Sequence, residues 1–198
     1  WIDRHTEGLR GPQLRMTHLH FNGLVKPTTD MINYLLANDK HFHKNSKMSD
    51  RTVNVDEIFS SEIMAGFPNL KDNHVSTIPI FLSSMVDQNI TPPYLDITES
   101  YGVPADVCPL PSAEAGVAIN DDYPMLGKCS ITCNMPCDGS VMNSAYIDRR
   151  FNIPTHVINV PLRYNEEDAQ EYAVEEVKEC IKFIERETGE TFDWDAFF

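Results

Sequence analysis

Four cysteines in the central part of the chain are the residues best suited to chemistry. Cys129, Cys133 and Cys137 recur at four-residue intervals, and Cys108 lies upstream in the segment Ala-Asp-Val-Cys-Pro-Leu-Pro. Thiolates gathered in this way serve in a metal or cluster site, in a disulfide or in redox chemistry. Their spacing matches neither the paired Cys-x-x-Cys knuckles of zinc fingers nor the Cys-x-x-Cys-x-x-Cys run of bacterial ferredoxins. Spacing alone therefore leaves a metal site and a group of buried thiols as even alternatives.

The segment after Cys137 favours a ligand role for that residue. Asp138 is a favourable N-cap, and the apolar residues of Gly139 to Phe151 are spaced for one packed helical face. Cys137 would then precede a helix N-terminus, where partial positive charge favours the thiolate that binds metal. A disulfide is disfavoured, because no N-terminal signal sequence is visible and the remaining features are those of a cytoplasmic protein.

Length and charge restrict the classes of protein to which the chain can belong. Its 198 residues are enough for one sizeable core, and 41% of them are hydrophobic. The formal net charge of −14 argues against nucleic acid and anionic membranes, since both need a basic surface. No apolar run in the sequence is long enough to span a bilayer. We therefore expect an acidic, cytoplasmic protein with no nucleic-acid or membrane partner.

Downstream of the cysteines, the sequence predicts a strand and a long helix. Thr155 to Val160 form a short apolar strand that stops at Pro161. The helix begins after Asn165, which is followed by three acidic residues, and ends at Gly189. Cys180 lies beside its apolar stripe and is interpreted as a packing residue. The stripe consists of Ala173, Val177, Ile181 and Ile184. Helix, strand and helix in this order predict an α/β fold with a Rossmann-like parallel sheet flanked by helices.

Residues 1–93 give weaker signals and are expected to form a mostly helical N-terminal region. Val53 to Met64 are predicted to be a short helix capped near Asn54. Thr77 to Met85 are predicted to form a buried strand, and Tyr94 to Tyr101 a helix after a Pro-Pro break. The sequence therefore indicates a boundary near residue 93, with a second and better defined domain over residues 94–198.

Two segments around the cysteines form recognisable motifs: Glu99-Ser-Tyr-Gly-Val-Pro-Ala-Asp-Val-Cys108 and Cys133-Asn-Met-Pro-Cys137-Asp-Gly. With these motifs, residues 94–198 resemble the iron–sulfur family of 2-hydroxyacyl-CoA dehydratases and benzoyl-CoA reductases. The first segment is similar to the one that precedes the family's first cluster ligand, and the second is similar to the one around its second ligand. The resemblance continues through Asp148-Arg-Arg-Phe-Asn-Ile-Pro154 and Asn159-Val-Pro161 to the acidic helix that closes in Glu187-Thr-Gly-Glu-Thr-Phe-Asp-Trp194.

The resemblance implies a [4Fe–4S] cluster held between two Rossmann-like domains of one subunit. By position, two cluster ligands fall on Cys108 and Cys137, with Cys133 as a reserve for the second. The third ligand would come from the family's second domain, which this sequence does not reach. The absence of Met at the start and the apolar end of the chain also suggest a piece of a longer protein.

The activity that the resemblance implies is that of a lyase in anaerobic metabolism. A 2-hydroxyacyl-CoA loses water and becomes an enoyl-CoA after activation by a single electron, which an ATP-hydrolysing activator protein supplies. The implied partners are the acyl-CoA substrate, a homologous second subunit and the transient activator. Two alternatives stay open: an oxidoreductase that reduces an aromatic acyl-CoA, as benzoyl-CoA reductases do, and a non-catalytic iron–sulfur electron-transfer or scaffold subunit. Arg149, Arg150 and Arg163 are the nearest basic candidates for the CoA phosphates.

Overall fold

The computed structural model describes residues 42–43, 48–55, 61–75, 91–123, 126–135, 138–163 and 165–198. It divides the chain into two compact units, of which the first contains Trp1–Lys40 and Ser76–Asp122 and the second contains His41–Val75 and Tyr123–Phe198. The second unit is thus assembled from two separate stretches of sequence. The predicted strand over Thr77 to Met85 and most of the predicted N-terminal region lie outside the described residues.

The described part of the first unit is a pair of packed helices. Helix α1 spans Thr91–Ser100 and helix α2 spans Pro109–Ile119, so the helix predicted after the Pro-Pro break is confirmed. The two helices approach closely at Gly116, where a Cβ atom would overlap the backbone of Tyr94. The Thr98 hydroxyl donates to the carbonyl oxygen of Ser112 at 2.7 Å, which ties α1 to the first turn of α2.

The second unit is built on a mostly parallel sheet. Its strands are β1 (Phe42–His43), β2 (Met48–Val55), β3 (Lys71–His74), β4 (Leu126–Cys133) and β5 (Thr155–Ile158). The order across the sheet is β3–β2–β4–β5, and these four strands are parallel. The short strand β1 pairs with the start of β2 in the antiparallel sense. The predicted α/β class with a parallel sheet is confirmed.

Strand β2 corrects the prediction of a helix over Val53 to Met64. Residues 48–55 are extended, and the only helical part of the predicted segment that the structure describes is a 3-10 helix at Ser61–Gly66. Val53 and Val55 are β-branched, which favours a strand, and both are fully buried in the apolar core on one face of the sheet. Asn54 does not cap a helix; its side chain bonds across the sheet.

Three helices follow the sheet strands of the C-terminal stretch. They are α3 (Gly139–Phe151), α4 (Ala169–Thr188) and α5 (Trp194–Phe197). The predicted bounds of α3 are confirmed, and so is Gly189 at the end of α4, where it has a φ of 77°. Helix α4 begins later than predicted, because its N-cap is Asp168 instead of Asn165. Strand β5 stops at Ile158, two residues before its predicted end.

The two faces of the sheet differ in chemistry. On one face, α4 and the 3-10 helix pack on an apolar core of β2, β4 and β5 residues that includes Val53, Cys129 and Ile131. Because side chains alternate along a strand, Asn54, Ser130 and Thr132 point to the other face, where they are also buried. Helix α3, which packs on β4 and β5, supplies further buried polar side chains, Asn143 and Ser144.

Candidate functional site

The order of the strands marks the carboxyl ends of β2 and β4 as the place where a ligand would bind. From β2 the chain moves to β3 on one side, and from β4 it moves to β5 on the other. In open parallel sheets, connections that leave two neighbouring strands in opposite directions leave a crevice outside the carboxyl ends of these strands. Cys133 is the last residue of β4, so the segment with Cys133 and Cys137 begins at this edge.

Cys133 is only 4% exposed, but its sulfur has two polar neighbours. The backbone N–H of Met135 donates to Sγ at 3.1 Å, and the Met135 carbonyl oxygen accepts from the thiol at 3.3 Å. Contacts of an N–H with sulfur favour an electron-rich sulfur and are one of the ways in which proteins tune iron–sulfur clusters. Cys133 therefore combines a core position with a sulfur that contacts both a backbone N–H and a backbone carbonyl.

Asn134 fixes the chain directly after Cys133. Its Oδ1 accepts from the Val160 N–H at 2.8 Å, and its Nδ2 donates to the Val160 carbonyl oxygen at 3.3 Å. These two bonds join the loop after β4 to the loop after β5. Asn134 is a site residue that sequence reasoning missed. The available signal was an asparagine placed immediately after a buried strand, where its amide can replace a backbone partner.

Cys108 lies in the first unit, immediately before α2, and its side chain is exposed. Pro109 occupies the first position of the helix, where its missing N–H costs no hydrogen bond. The Cys108 carbonyl oxygen accepts from both the hydroxyl and the N–H of Ser112, at 2.9 and 3.3 Å. A small open cleft borders this position, and Leu95, Val103, Val107 and Pro109 are among the residues that line it. The backbone of Cys108 is thus anchored and its sulfur is accessible.

Cys129 and Cys180 form a contrasting pair in the core of the second unit. Both are fully buried, and burial raises the pKa of each thiol to about 12. A thiol with such a pKa stays protonated at neutral pH and is a poor nucleophile and ligand. The interpretation of Cys180 as a packing residue is therefore confirmed, and Cys129 has the same role.

The three predicted ligands lie in different parts of the chain. Cys108 belongs to the first unit and Cys133 to the second, while Cys137 lies outside the described residues. Within the described residues, no three His, Cys, Asp or Glu side chains lie close enough together to hold a metal ion. Nor does any of the four cysteines in this part of the chain form a disulfide.

The basic residues near the cysteines divide between the two edges of the sheet. Helix α3 starts at the carboxyl edge, so Arg149 and Arg150 in its last turn lie about 15 Å further along its axis. Arg163 lies in the loop after β5, at the same edge as Cys133. Its side chain is 83% exposed and pairs with Glu166 at 3.2 Å. Of the three arginines, only Arg163 shares an edge with the candidate site.

Comparison with protein families decides the relationship that the motifs suggest. Residues 81–198 match the model of the 2-hydroxyglutaryl-CoA dehydratase, D-component, family. The chain belongs to this family. The match covers more than half of the sequence and includes Cys108, Cys133 and Cys137. A search of curated proteins finds no match to the chain.

Membership in the 2-hydroxyglutaryl-CoA dehydratase D-component family confirms the resemblance stated from the motifs. The family indicates a 2-hydroxyacyl-CoA dehydratase-type subunit, a lyase-like component of an enzyme with several components. Across the parts of the chain that the structure describes, no helix combines the length and the apolar character needed to cross a membrane.

Proposed function

We propose that the chain is the cluster-bearing subunit of a radical 2-hydroxyacyl-CoA dehydratase that converts a 2-hydroxyacyl-CoA into an enoyl-CoA. The observation that carries the proposal is the position of Cys133 at the carboxyl edge of the sheet, in a chain of this family. We further propose that the protein acts in the cytoplasm, in anaerobic metabolism. Its proposed partners are a homologous second subunit and, transiently, an ATP-dependent activator protein.

The donor set fits an iron–sulfur cluster. Cys108 offers an exposed sulfur on an anchored backbone, and Cys133 offers a sulfur with a backbone N–H aimed at it. Thiolates are the usual ligands of such clusters. We assign Cys108 and Cys137 as ligands, with Cys133 as the alternative to Cys137 in the same loop. When bound, a [4Fe–4S] cluster with an open iron supplies one-electron chemistry and Lewis acidity.

The residues of the chain have three tasks in this reaction. Cys108 and Cys137 would hold the cluster. Where Cys133 takes the place of Cys137, the Met135 N–H would stabilise negative charge on the Cys133 sulfur. The apolar face of β4, which ends at Cys133, limits the access of water to that side of the site. We assign the contact with a CoA phosphate to Arg163, in the loop after β5, because its exposed pairing with Glu166 is weak enough to exchange.

Product analysis tests this proposal against its alternatives. The protein with its partner components is reduced, activated and incubated anaerobically with a 2-hydroxyacyl-CoA, and the acyl-CoA pool is followed by mass spectrometry. The dehydratase forms an enoyl-CoA that is lighter than its substrate by one water. Reduction of an aromatic acyl-CoA without any dehydration would show the benzoyl-CoA reductase-type activity instead. A protein that binds iron but neither binds nor converts an acyl-CoA would be a non-catalytic subunit.

A further inference from the structure

We propose that Asn134 is a positioning residue of the candidate site. Its carboxamide clamps the loop after β5 to the loop after β4 and thereby holds the Met135 N–H against the sulfur of Cys133. The clamp itself is a property of the fold, while its effect on a cluster rests on the proposed function with Cys133 as the ligand in place of Cys137. Asn134 touches neither substrate nor cluster in this proposal and acts through its neighbours.

The side chain of Asn134 takes the place of a strand residue. The parallel pairing of β4 with β5 ends at Cys133 and Ile158, and the Asn134 N–H still donates to the Ile158 carbonyl oxygen at 3.3 Å. Beyond that point the carboxamide binds both the N–H and the carbonyl of Val160. The Asn134 side chain therefore continues the hydrogen bonding between the two loops, and the backbone after β4 is free to turn away from β5.

The carboxamide of Asn134 supplies the acceptor and the donor that these two bonds need. The N–H of Val160 needs an acceptor and its carbonyl needs a donor, and the two ends of an asparagine side chain supply one of each. An aspartate keeps the acceptor and loses the donor. An alanine loses both. The structure thus predicts graded effects for two substitutions at one position.

The clamp acts on Cys133 through two neighbouring residues. Cys133 is held in the ladder with β5, and Asn134 is held on Val160, so the backbone on the N-terminal side of Met135 has little freedom. That restriction keeps the Met135 nitrogen 3.1 Å from Sγ. Without the two hydrogen bonds of Asn134, the loop after β4 would open more often. Each opening would move the Met135 N–H away from Cys133 Sγ and expose that sulfur to solvent.

Asn159 provides a matched control on the same edge. It is the residue before Val160, but its amide donates to Glu176 Oε2 at 3.0 Å on the exposed surface of α4. Its backbone N–H bonds to the same carboxylate oxygen at 2.8 Å. Asn159→Ala therefore removes an asparagine side chain from the β5–α4 loop without touching the loop that carries the cysteines.

The first test measures alkylation of Cys133 in the folded, metal-free protein by peptide mapping after exposure to N-ethylmaleimide. We expect Asn134→Ala to speed alkylation about tenfold, because two hydrogen bonds no longer oppose local opening. Asn134→Asp should fall between this variant and the wild type, and Asn159→Ala should match the wild type. Cys129 and Cys180 report global unfolding in the same samples, and their rates should stay unchanged. Wild-type reactivity of Cys133 in Asn134→Ala, or equal acceleration of all three cysteines, would overturn the inference.

The second test measures the midpoint potential of the reduced, iron-loaded protein by EPR-monitored titration. Loss of the N–H donor destabilises the electron-rich reduced state, so Asn134→Ala should have a lower potential than both the wild type and Asn159→Ala. An unchanged potential in a protein that does hold iron would refute the effect on the cluster. A wild type without iron would refute the proposed function, while the alkylation result would still decide whether the clamp exists.

Discussion

The interior of the sheet and its carboxyl edge both contain a cysteine of strand β4. Cys129, in the interior, packs against α4 in an apolar core, and its pKa is raised to about 12 by burial. Cys133, four residues later, is nearly as buried, but the strand ends there and the chain turns its Met135 N–H back onto the sulfur. Because the two thiols are almost equally buried, the contact of Cys133 with the Met135 N–H follows from the end of the strand and the turn of the chain, and not from exposure.

The largest expected effect concerns the interior thiols at alkaline pH. The pKa of Cys129 and of Cys180 is raised by burial from 9.0 to about 12, so unfolding releases a proton between these values. The stabilisation that each protonated thiol contributes is fully present below pH 9 and is lost as the pH rises toward 12, by about 1 kcal/mol per pH unit for each thiol. Urea unfolding at several pH values measures this slope.

A valine at position 129 isolates the contribution of one interior thiol. Cys129→Val removes the ionisable group and keeps an apolar side chain, so its stability should fall less steeply with pH than that of the wild type. Equal slopes for Cys129→Val and the wild type would contradict the raised pKa of the interior thiol.

The next effect concerns the pairing of β2 with β4. A Cβ atom at Gly127 would lie 2.5 Å from the Thr52 carbonyl oxygen, at a register shift between the strands where the Gly127 N–H bonds to Asn54 Oδ1. Gly127→Ala should therefore cost about 3 kcal/mol of unfolding free energy. At Gly189, φ is 77° and a Cβ would meet nothing within 4 Å, so Gly189→Ala should cost only about 1 kcal/mol. Equal losses in urea unfolding would contradict the tight packing of the interior.

A smaller effect separates a packing cysteine from an accessible one. Cys180→Ala removes a fully buried sulfur from the core and should lower the unfolding free energy by about 1–2 kcal/mol. Cys108→Ala should change it by less than about 0.5 kcal/mol, because that side chain is exposed. Thermal or urea unfolding of the metal-free proteins checks both values, and a reversed order would be inconsistent with the assigned roles.

The smallest effect concerns the arginine at the carboxyl edge. Arg163→Gln should raise the KM for an acyl-CoA about fivefold, the factor expected for one exposed ionic contact with a phosphate. Arg149→Gln, at the other end of α3, should leave KM unchanged. Steady-state kinetics of the activated enzyme make the comparison. An equal rise in both variants would point to the general charge of the protein instead of this edge.

Local signals in the sequence predicted the elements around the cysteines well. Asp138 correctly predicted the start of α3, and Gly189 correctly predicted the end of α4, because these signals depend on a few adjacent residues. The parallel sheet followed from the order of helix, strand and helix. Strand β2 was missed, because an isolated Asn54 is a common helix cap and its actual role depends on partners in β3 and β4, far away in sequence.

The site was only partly predictable for the same physical reason. The motifs singled out Cys108, Cys133 and Cys137 and placed Cys180 in the core. The family resemblance, which the family model confirms, rested on these motifs. The clamp of Asn134 on Val160 joins residues that are 26 positions apart, and no local pattern records which loop lies beside another. The division of the chain into two units, with residues 41–75 beside 123–198, is equally non-local.

The roles assigned to the cysteines are tested by the anaerobic iron and acid-labile sulfide content of the full-length protein in three forms: the wild type, Cys108→Ser and Cys180→Ser. We expect about four irons and four sulfides per chain in the wild type and in Cys180→Ser, and a large loss in Cys108→Ser. A wild type without iron, or the same iron content in all three proteins, would contradict the distinction between a ligand cysteine and a packing cysteine.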